Sequence, residues 1–325
     1  EPGTYVLQSG DPKHLAAAYR NHGKVRELYG QVPGGMFGAD ENARPGYNGP
    51  RQAIETCGIV EEMLSDETLL LISGDPFWAD QCELVAFNAL PAALTADMKA
   101  LRYLTAPNHI LSDAANKSPG LQNRGPMYLM SPHNHRCCQH NWGHGWPYYA
   151  QHLWAATSGN GLAAVMYAPC AVTAKVGPGD GTEVTVTART QYPFGEDVTF
   201  KVETPAAVEF PLYLRVPGWC DAAKLAISGE PCEVSVKAGE YLAIDRTWSD
   251  GDEIRLTLPM ETHVRRWQAN HNFASVQRGP LTYSLQIGEQ YVRHGGSDPS
   301  KRDAKTETDQ WPSWEIRPTT PWNYG

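Results

Sequence analysis

The sequence contains no run of about 18 apolar residues, so it has no segment built to cross a bilayer as a helix. It also lacks clustered basic residues. Its 27 Lys and Arg are outnumbered by 36 Asp and Glu, giving a formal charge of −9. Binding to a polyanion draws on counterion release by concentrated cations, so this balance argues against nucleic acid as a partner, as the missing apolar run argues against a membrane. A neutral or small acidic ligand fits. No basic stretch followed by an apolar one opens the chain, which begins Glu1-Pro2-Gly3-Thr4. A leader removed from the start is expected, with a periplasmic or secreted setting favoured over a cytoplasmic one. The seven cysteines (57, 82, 137, 138, 170, 220 and 232) lack the even count and spacing of a disulfide scaffold. A Cys220 to Cys232 bridge is compatible with the sequence without being demanded by it.

What is present begins with size and aromatics. The 325 residues, 41% hydrophobic and 19% charged, suffice for two domains with a sizeable core. Ten tryptophans and fifteen tyrosines are many for this length. Any single one is first a core or interface residue, although aromatic faces also stack on the CH-rich sides of sugar rings.

The chemistry concentrates in Ser131-Pro132-His133-Asn134-His135-Arg136-Cys137-Cys138-Gln139-His140-Asn141-Trp142. Two adjacent thiols are awkward as a disulfide with each other, and are expected to reach one site only off regular helix or strand. The upstream segment Arg51-Gln52-Ala53-Ile54-Glu55-Thr56-Cys57-Gly58 places a carboxylate two residues from a thiol. Glu55, Cys57, Cys137 and Cys138 together offer three thiolates and a carboxylate, a complete tetrahedral set for Zn²⁺. On a regular helix Glu55 and Cys57 point about 200° apart, so both reach one ion only from extended backbone or at a helix start. A closed structural zinc or buried free thiols is the competing reading. His133, His135, His140 and His144 crowd the pair and are expected to orient the site or bind ligand more than to coordinate metal.

The Glu-x-Cys and later Cys-Cys, followed by Gly145-Trp146-Pro147 and Leu153-Trp154, resemble the β-L-arabinofuranosidase family, glycoside hydrolase family 127, over about residues 20 to 325. The resemblance implies one zinc on the four named side chains and Cys137 as the nucleophile of a retaining glycoside hydrolase. Its sugar would be a terminal β-L-arabinofuranose or related branched pentose of plant polysaccharide, so an oligosaccharide or polysaccharide is the expected partner. Glu41, in the glycine- and proline-rich loop upstream of Glu55, matches the family's acid/base glutamate, with Asp40 as second choice. A solvated loop carboxylate is its competing reading. Tyr103, before Thr105-Ala106-Pro107-Asn108, resembles a tyrosine that contacts the sugar. Aceric acid is an alternative substrate within the family. A cation facing the substrate carboxylate would mark it, for which Arg44, Arg51 and Arg136 are candidates. The alternative of another class is a non-catalytic carbohydrate-binding or structural protein with a structural zinc.

Taken in order, residues 13–29 read as a helix, and helical patterning resumes after Cys57 to Ile72 and again over Phe77 to about Leu90. Residues 100–136 have little periodicity and read as loop and short strand. Pro147 suits the first turn of a helix running to about Thr157. From Gly161 the period becomes two, over 163–167, 183–187, 198–202, 208–216, 225–227, 241–244 and 253–258, the pattern of an antiparallel β-sandwich. A further strand pair is expected in 273–292.

The family resemblance implies an (α/α)6 barrel before β-sandwich domains, yet only four or five helices precede the strands. The expected architecture is therefore multidomain. Residues 1–158 form the second half of an (α/α)6 barrel, 159–292 an antiparallel β-sandwich, and 293–325 an irregular segment leading toward a further β-domain. A half barrel exposes its inner seams, notably on the helices at 13–29 and 59–72, so either a second polypeptide completes it or the sequence is a fragment.

Overall fold

The computed structural model describes residues 2–40, 53–117, 126–132, 136–233, 236–294 and 308–323. Its first half is helical. The helices are α1 (Pro2–Ser9), α2 (Pro12–Tyr29), α3 (Thr56–Ser73), α4 (Pro76–Leu84), α5 (Leu90–Ala92) and α6 (Arg136–Gln151). Two of them start on an Asp-Pro signal. The Asp11 and Asp75 carboxylates cap α2 and α4 by accepting from Lys13 N and Phe77 N, and proline takes the first helical position. The expected helix at 13–29 is α2, and the patterning from Cys57 to Ile72 is α3. The run from Phe77 is α4 continued through a π-helical turn (Val85–Ala89) into α5.

That π turn has a partner in the strands. Asn88 donates to the carbonyls of Leu84 at 2.7 Å and Pro280 at 2.8 Å, and its side-chain oxygen accepts from Thr282 N at 2.8 Å. The helix bulges where one of its side chains bonds to backbone from another part of the fold.

The last helix differs from its sequence reading. α6 starts at Arg136, eleven residues before Pro147, and carries that proline in its interior. Residues 154–156, expected to be helical, form a strand instead. The proline that suits a helix start is instead carried inside the helix. A Cβ added at Gly145 would lie 3.1 and 3.2 Å from the methyls of Leu90, so this glycine lets α6 approach the end of the π turn closely.

The strands are β1 (Ile54–Glu55), β2 (Leu104–Thr105), β3 (Trp154–Ala156), β4 (Leu162–Ala164), β5 (Cys170–Val176), β6 (Thr182–Thr190), β7 (Asp197–Glu203), β8 (Val208–Val216), β9 (Lys224–Ile227), β10 (Glu230–Cys232), β11 (Glu240–Trp248) and β12 (Glu253–Thr257). Beyond these lie β13 (Thr262–Trp267), β14 (Phe273–Arg278), β15 (Leu281–Tyr283), β16 (Glu289–Arg293) and β17 (Trp314–Pro318). A six-stranded sheet in the order β10-β9-β12-β7-β6-β5 and a four-stranded sheet β11-β8-β4-β3 share one core. The alternation that announced them is the burial pattern. Val198, Phe200 and Val202 of β7 point into this core, as do Phe210, Leu212 and Leu214 of β8, while their neighbours turn to the opposite faces of the sheets, where Arg215 of β8 is also buried. Burying each such side chain contributes about 1.5–3 kcal/mol. Pairing is antiparallel except between β4 and β8, which run parallel.

Strands β13, β14 and β15 make a separate three-stranded sheet, and β16 pairs with β17. The segment 293–325, expected to be irregular, thus contains a strand. β17 was hidden because its partner β16 lies across an intervening polar stretch. No bridge joins Cys220 to Cys232, and all seven cysteines are free.

Of the two helices expected to expose an inner face, α3 is instead well buried. α2 buries only Ala18. α3 buries seven residues, including Ile59, Val60, Met63 and Leu70, because α4 and α6 both pack on it. Among the described residues, no helix is long and apolar enough to cross a membrane.

Candidate metal centre

Three chain segments are stitched together to build the site. Ala39 N donates to Ala53 O and Glu55 N to Ala39 O, both at 3.0 Å. β1 then pairs with β2, placing Glu55 opposite Leu104. The Thr56 N–H donates to Tyr103 O at 2.9 Å and its hydroxyl to Arg102 O at 2.7 Å, which fixes the first residue of α3. Glu55 occupies the N-cap position with extended backbone (φ −68°, ψ 143°), and Cys57 is already helical. This is the helix-start geometry that the spacing of Glu55 and Cys57 requires.

Cys137 and Cys138 come from the first turn of α6. The expectation that adjacent cysteines converge only off regular structure is corrected here. At a helix terminus both side chains can lean past the end of the cylinder toward one point, which mid-helix residues about 100° apart cannot do. The ligand atoms of Glu55, Cys57, Cys137 and Cys138 all lie within 4.8 Å of one another. Cys57 Sγ is 3.6 Å from Cys138 Sγ, and Cys138 Sγ is 3.6 Å from Glu55 Oε1.

These distances test whether the residues fit zinc. Two sulfurs about 2.3 Å from one tetrahedral ion stand about 3.8 Å apart, and a sulfur and a carboxylate oxygen about 3.6 Å apart. The observed separations match within a few tenths of an ångström. The titration behaviour points the same way. Its contact with Cys138 holds the Cys57 thiol down to about 5, against burial that pushes it up. Cys137 is raised by burial and then by Cys57, while Cys138 is raised by its contact with Cys57, by burial and by the Cys137 and Glu55 charges. The cluster thus accommodates one thiolate and resists more. A divalent cation at its centre supplies the charge that lets all three ionise.

Exposure divides the two adjacent cysteines. Cys138 is fully buried over the small apolar group of Tyr103, Leu104 and Tyr128, whereas Cys137 is exposed. Tyr103, the expected sugar contact, is buried in that group, with 4% of its surface accessible. Asp40 is also buried, directly after the Ala39–Ile54 bridge. Glu41, Arg44, Arg51, His133 and His135 lie outside the described residues. Arg136 is exposed at the start of α6, and neither His140 nor His144 joins the four-residue cluster.

A second convergence escaped the sequence reading. His22, Glu62 and Asp66 also bring ligand atoms within 4.8 Å of one another. Arg26 already pairs with Glu62 at 2.5 Å, so this group carries its own cation. No short-range motif links residues so far apart on two helices.

The β-L-arabinofuranosidase GH127 catalytic domain matches residues 1–151, and the GH127 middle domain matches residues 161–260. No curated protein sequence matches the chain. Among solved structures, a GH127 β-L-arabinofuranosidase from Geobacillus stearothermophilus T6 superposes with a TM-score of 0.71 at 19% identity, over 98% of this chain and 56% of that one. A GH127 β-arabinofuranosidase gives 0.70 at 17% identity, over 98% and 55%. A glycoside hydrolase gives 0.62 at 19%, over 85% and 51%. The chain therefore spans about half the length of these structures, and at such identities the likeness establishes the fold. With both of its domains matched to one family, across most of its length, the chain belongs to the β-L-arabinofuranosidase family, glycoside hydrolase family 127.

Proposed function

We propose that the chain carries the metal-binding part of the active site of a zinc-dependent retaining glycoside hydrolase that releases terminal β-L-arabinofuranose, or a related branched pentose, from plant polysaccharide. Zn²⁺ would be held by Glu55, Cys57, Cys137 and Cys138. The carrying observation is the split between the cysteines. Four ligand atoms converge, yet Cys137 is open to solvent while its neighbour is sealed. A purely structural zinc is usually closed on all four sides. An exposed thiolate in a ligand set is a reachable nucleophile.

Bound zinc would lower the thiol pKa values and so keep Cys137 a thiolate at neutral pH. Cys137 Sγ then attacks the anomeric carbon as the bond to the leaving oxygen breaks, and that oxygen takes a proton from the acid/base carboxyl. In the second half, the same carboxylate removes a proton from water, whose oxygen displaces the sulfur and restores the thiolate. Glu41 is the first choice for that carboxyl. The burial of Asp40 makes it the poorer proton shuttle. The buried Tyr103 would serve by supporting Cys138 from below as well as by any contact with sugar.

Architecturally, α1 to α6 would form the second half of an (α/α)6 barrel, completed by further chain or a second polypeptide. The boundary near residue 158 is proposed where the helices give way to the strands, although Ala163, Val165 and Met166 beyond it still pack into the helical core. A periplasmic or secreted setting is where such a polysaccharide would be met.

The test is metal analysis of the full-length protein combined with trapping of the sugar. One zinc per chain is expected, and a mechanism-based arabinofuranoside with a good leaving group should add one pentose to the peptide containing Cys137. A sugar found on a carboxylate instead would refute the cysteine mechanism.

A further inference from the structure

A cleft of about 770 Å³ opens between the 87–94 region, residues 102–110, the β13–β15 sheet and the β16–β17 hairpin. None of the four metal-cluster residues lines it. Arg102 does. Its Nη1 lies 2.8 Å from His109 Nδ1, and His109 Nε2 lies 2.8 Å from the Leu111 carbonyl oxygen. A carbonyl oxygen only accepts, so Nε2 carries the ring proton and Nδ1 accepts from the arginine. The imidazole is therefore neutral. Burial first, and then the Arg102 charge, hold His109 down to about 3.

Arg102 has no ion pair among the described residues, and its buried Nε has no hydrogen-bond partner. A neutral ring orients the guanidinium without cancelling its charge, and the Glu289 carboxylate acts on it from across the cleft without forming an ion pair. The other arginine of the cleft, Arg317, is already paired with Glu315 at 2.7 Å, and Glu289 is a carboxylate that also lines the space. Around it stand four aromatic residues with unusually open faces: Phe273 at 43%, Tyr283 at 49%, Tyr291 at 44% and Trp322 at 44% exposed. Tyr291 is braced edge-on against Trp314, 6.0 Å between ring centres.

We propose that this cleft binds a glycan bearing a uronic acid, with the sugar carboxylate on the Arg102 guanidinium and the sugar rings against the aromatic rim. The planar fork of arginine matches a carboxylate in two parallel hydrogen bonds, and open aromatic faces take the apolar side of a pyranose. Glu289 is placed to accept from sugar hydroxyls. The site would grip the acidic part of a polysaccharide away from the metal cluster. It stands on its own observations and does not depend on the hydrolase reading.

The experiment is calorimetric titration of the full chain with trigalacturonic acid and with its fully methyl-esterified form, which keeps the sugar and removes the charge. The acid should bind, with the ester weaker by about 10-fold or more, the range of a hydrogen-bonded charge. Arg102→Gln should weaken acid binding to the same degree, and Arg102→Lys should recover part of it, since it keeps the charge and loses the fork. Phe273→Ala, at an exposed position on β14, should weaken acid and ester alike. A metal chelator should change nothing. Equal affinity for acid and ester, full binding by Arg102→Gln, or no binding of the acid by the intact chain would each overturn the proposal. So would binding that disappears with the chelator, since the sugar would then sit at the metal cluster. Should Arg102→Gln fail to fold, the ester comparison and Phe273→Ala still decide.

Discussion

Arg215 on β8 lies fully buried against Glu83 on α4, with Nη2 2.5 Å from Oε1, and this contact joins the helical half to the sandwich. Another guanidinium nitrogen pairs with Asp80, Nε donates to the Val165 carbonyl at 2.5 Å, and the Tyr192 hydroxyl donates to the second Glu83 oxygen at 2.5 Å. With every partner in place the desolvation of these charges is offset. With one removed it is not. Arg215→Met should therefore cost about 3–5 kcal/mol in urea unfolding, and Glu83→Gln a comparable amount. The double variant should lose clearly less than the sum, because the second change no longer strands a charge. Additive losses would show that the two groups are not coupled.

A second buried carboxylate sets a pH dependence. Glu67 is fully buried, with Oε2 3.0 Å from His152 Nδ1, and Cys82 Sγ lies 3.6 Å from its other oxygen. The contact with Glu67 raises the His152 pKa above its ordinary 6.5, against burial that lowers it. A histidine with a raised folded-state pKa stabilises fully below its unfolded value, and that stability is lost as pH climbs through the folded value. The melting temperature should thus fall as pH rises above about 6.5, and His152→Gln should flatten that fall. A parallel decline in the variant would assign the effect to other groups.

How much of this could be read in the sequence follows from the range of each interaction. Glu55, Cys57, Cys137 and Cys138 were legible because metal ligation narrows the choice of residue types, and two short motifs carry all four. The sandwich strands were legible because a half-buried strand writes its burial into every second residue, as in Val198-Thr199-Phe200-Lys201-Val202. The start of α6 was not legible because Pro147 suits a first helical turn, whereas the helix begins at Arg136 and carries that proline inside it, with Gly145 packed closely against Leu90 and Val60. The Arg215–Glu83 joint left no signal at all. Each residue alone reads as an ordinary surface charge, and 132 positions in the sequence separate them.

Metal should tie the start of α3 to the start of α6, which are otherwise joined at this point by soft thiol contacts. Zinc at 100 times its dissociation constant should stabilise the chain by about 2.7 kcal/mol, seen as a rise in melting temperature that a chelator reverses. Cys57→Ala and Cys138→Ala should abolish the rise, and Cys232→Ala, far from the cluster in sequence and on another sheet, should keep it. A zinc response that survives the loss of Cys138 would place the ion elsewhere.

The catalytic roles separate by what each residue does for the metal. Cys137 is both ligand and proposed nucleophile, whereas Glu41 is proposed only to move a proton. In the full-length enzyme, Cys137→Ser should abolish turnover and also weaken zinc binding, because an alcohol is a poorer ligand and a far weaker nucleophile than a thiolate. Glu41→Gln should abolish turnover on substrates with poor leaving groups while zinc stays bound. With an activated aryl leaving group it should retain the first step, since that departure needs no protonation, and so accumulate the sugar on Cys137. Assays with both substrate types, alongside zinc content, distinguish the cases. Near-full activity of Glu41→Gln on the poor leaving group would move the acid/base role to Asp40. Turnover by Cys137→Ser at the parent rate would remove the Cys137 covalent mechanism, because of the other two cluster cysteines Cys138 is buried and Cys57 only partly exposed.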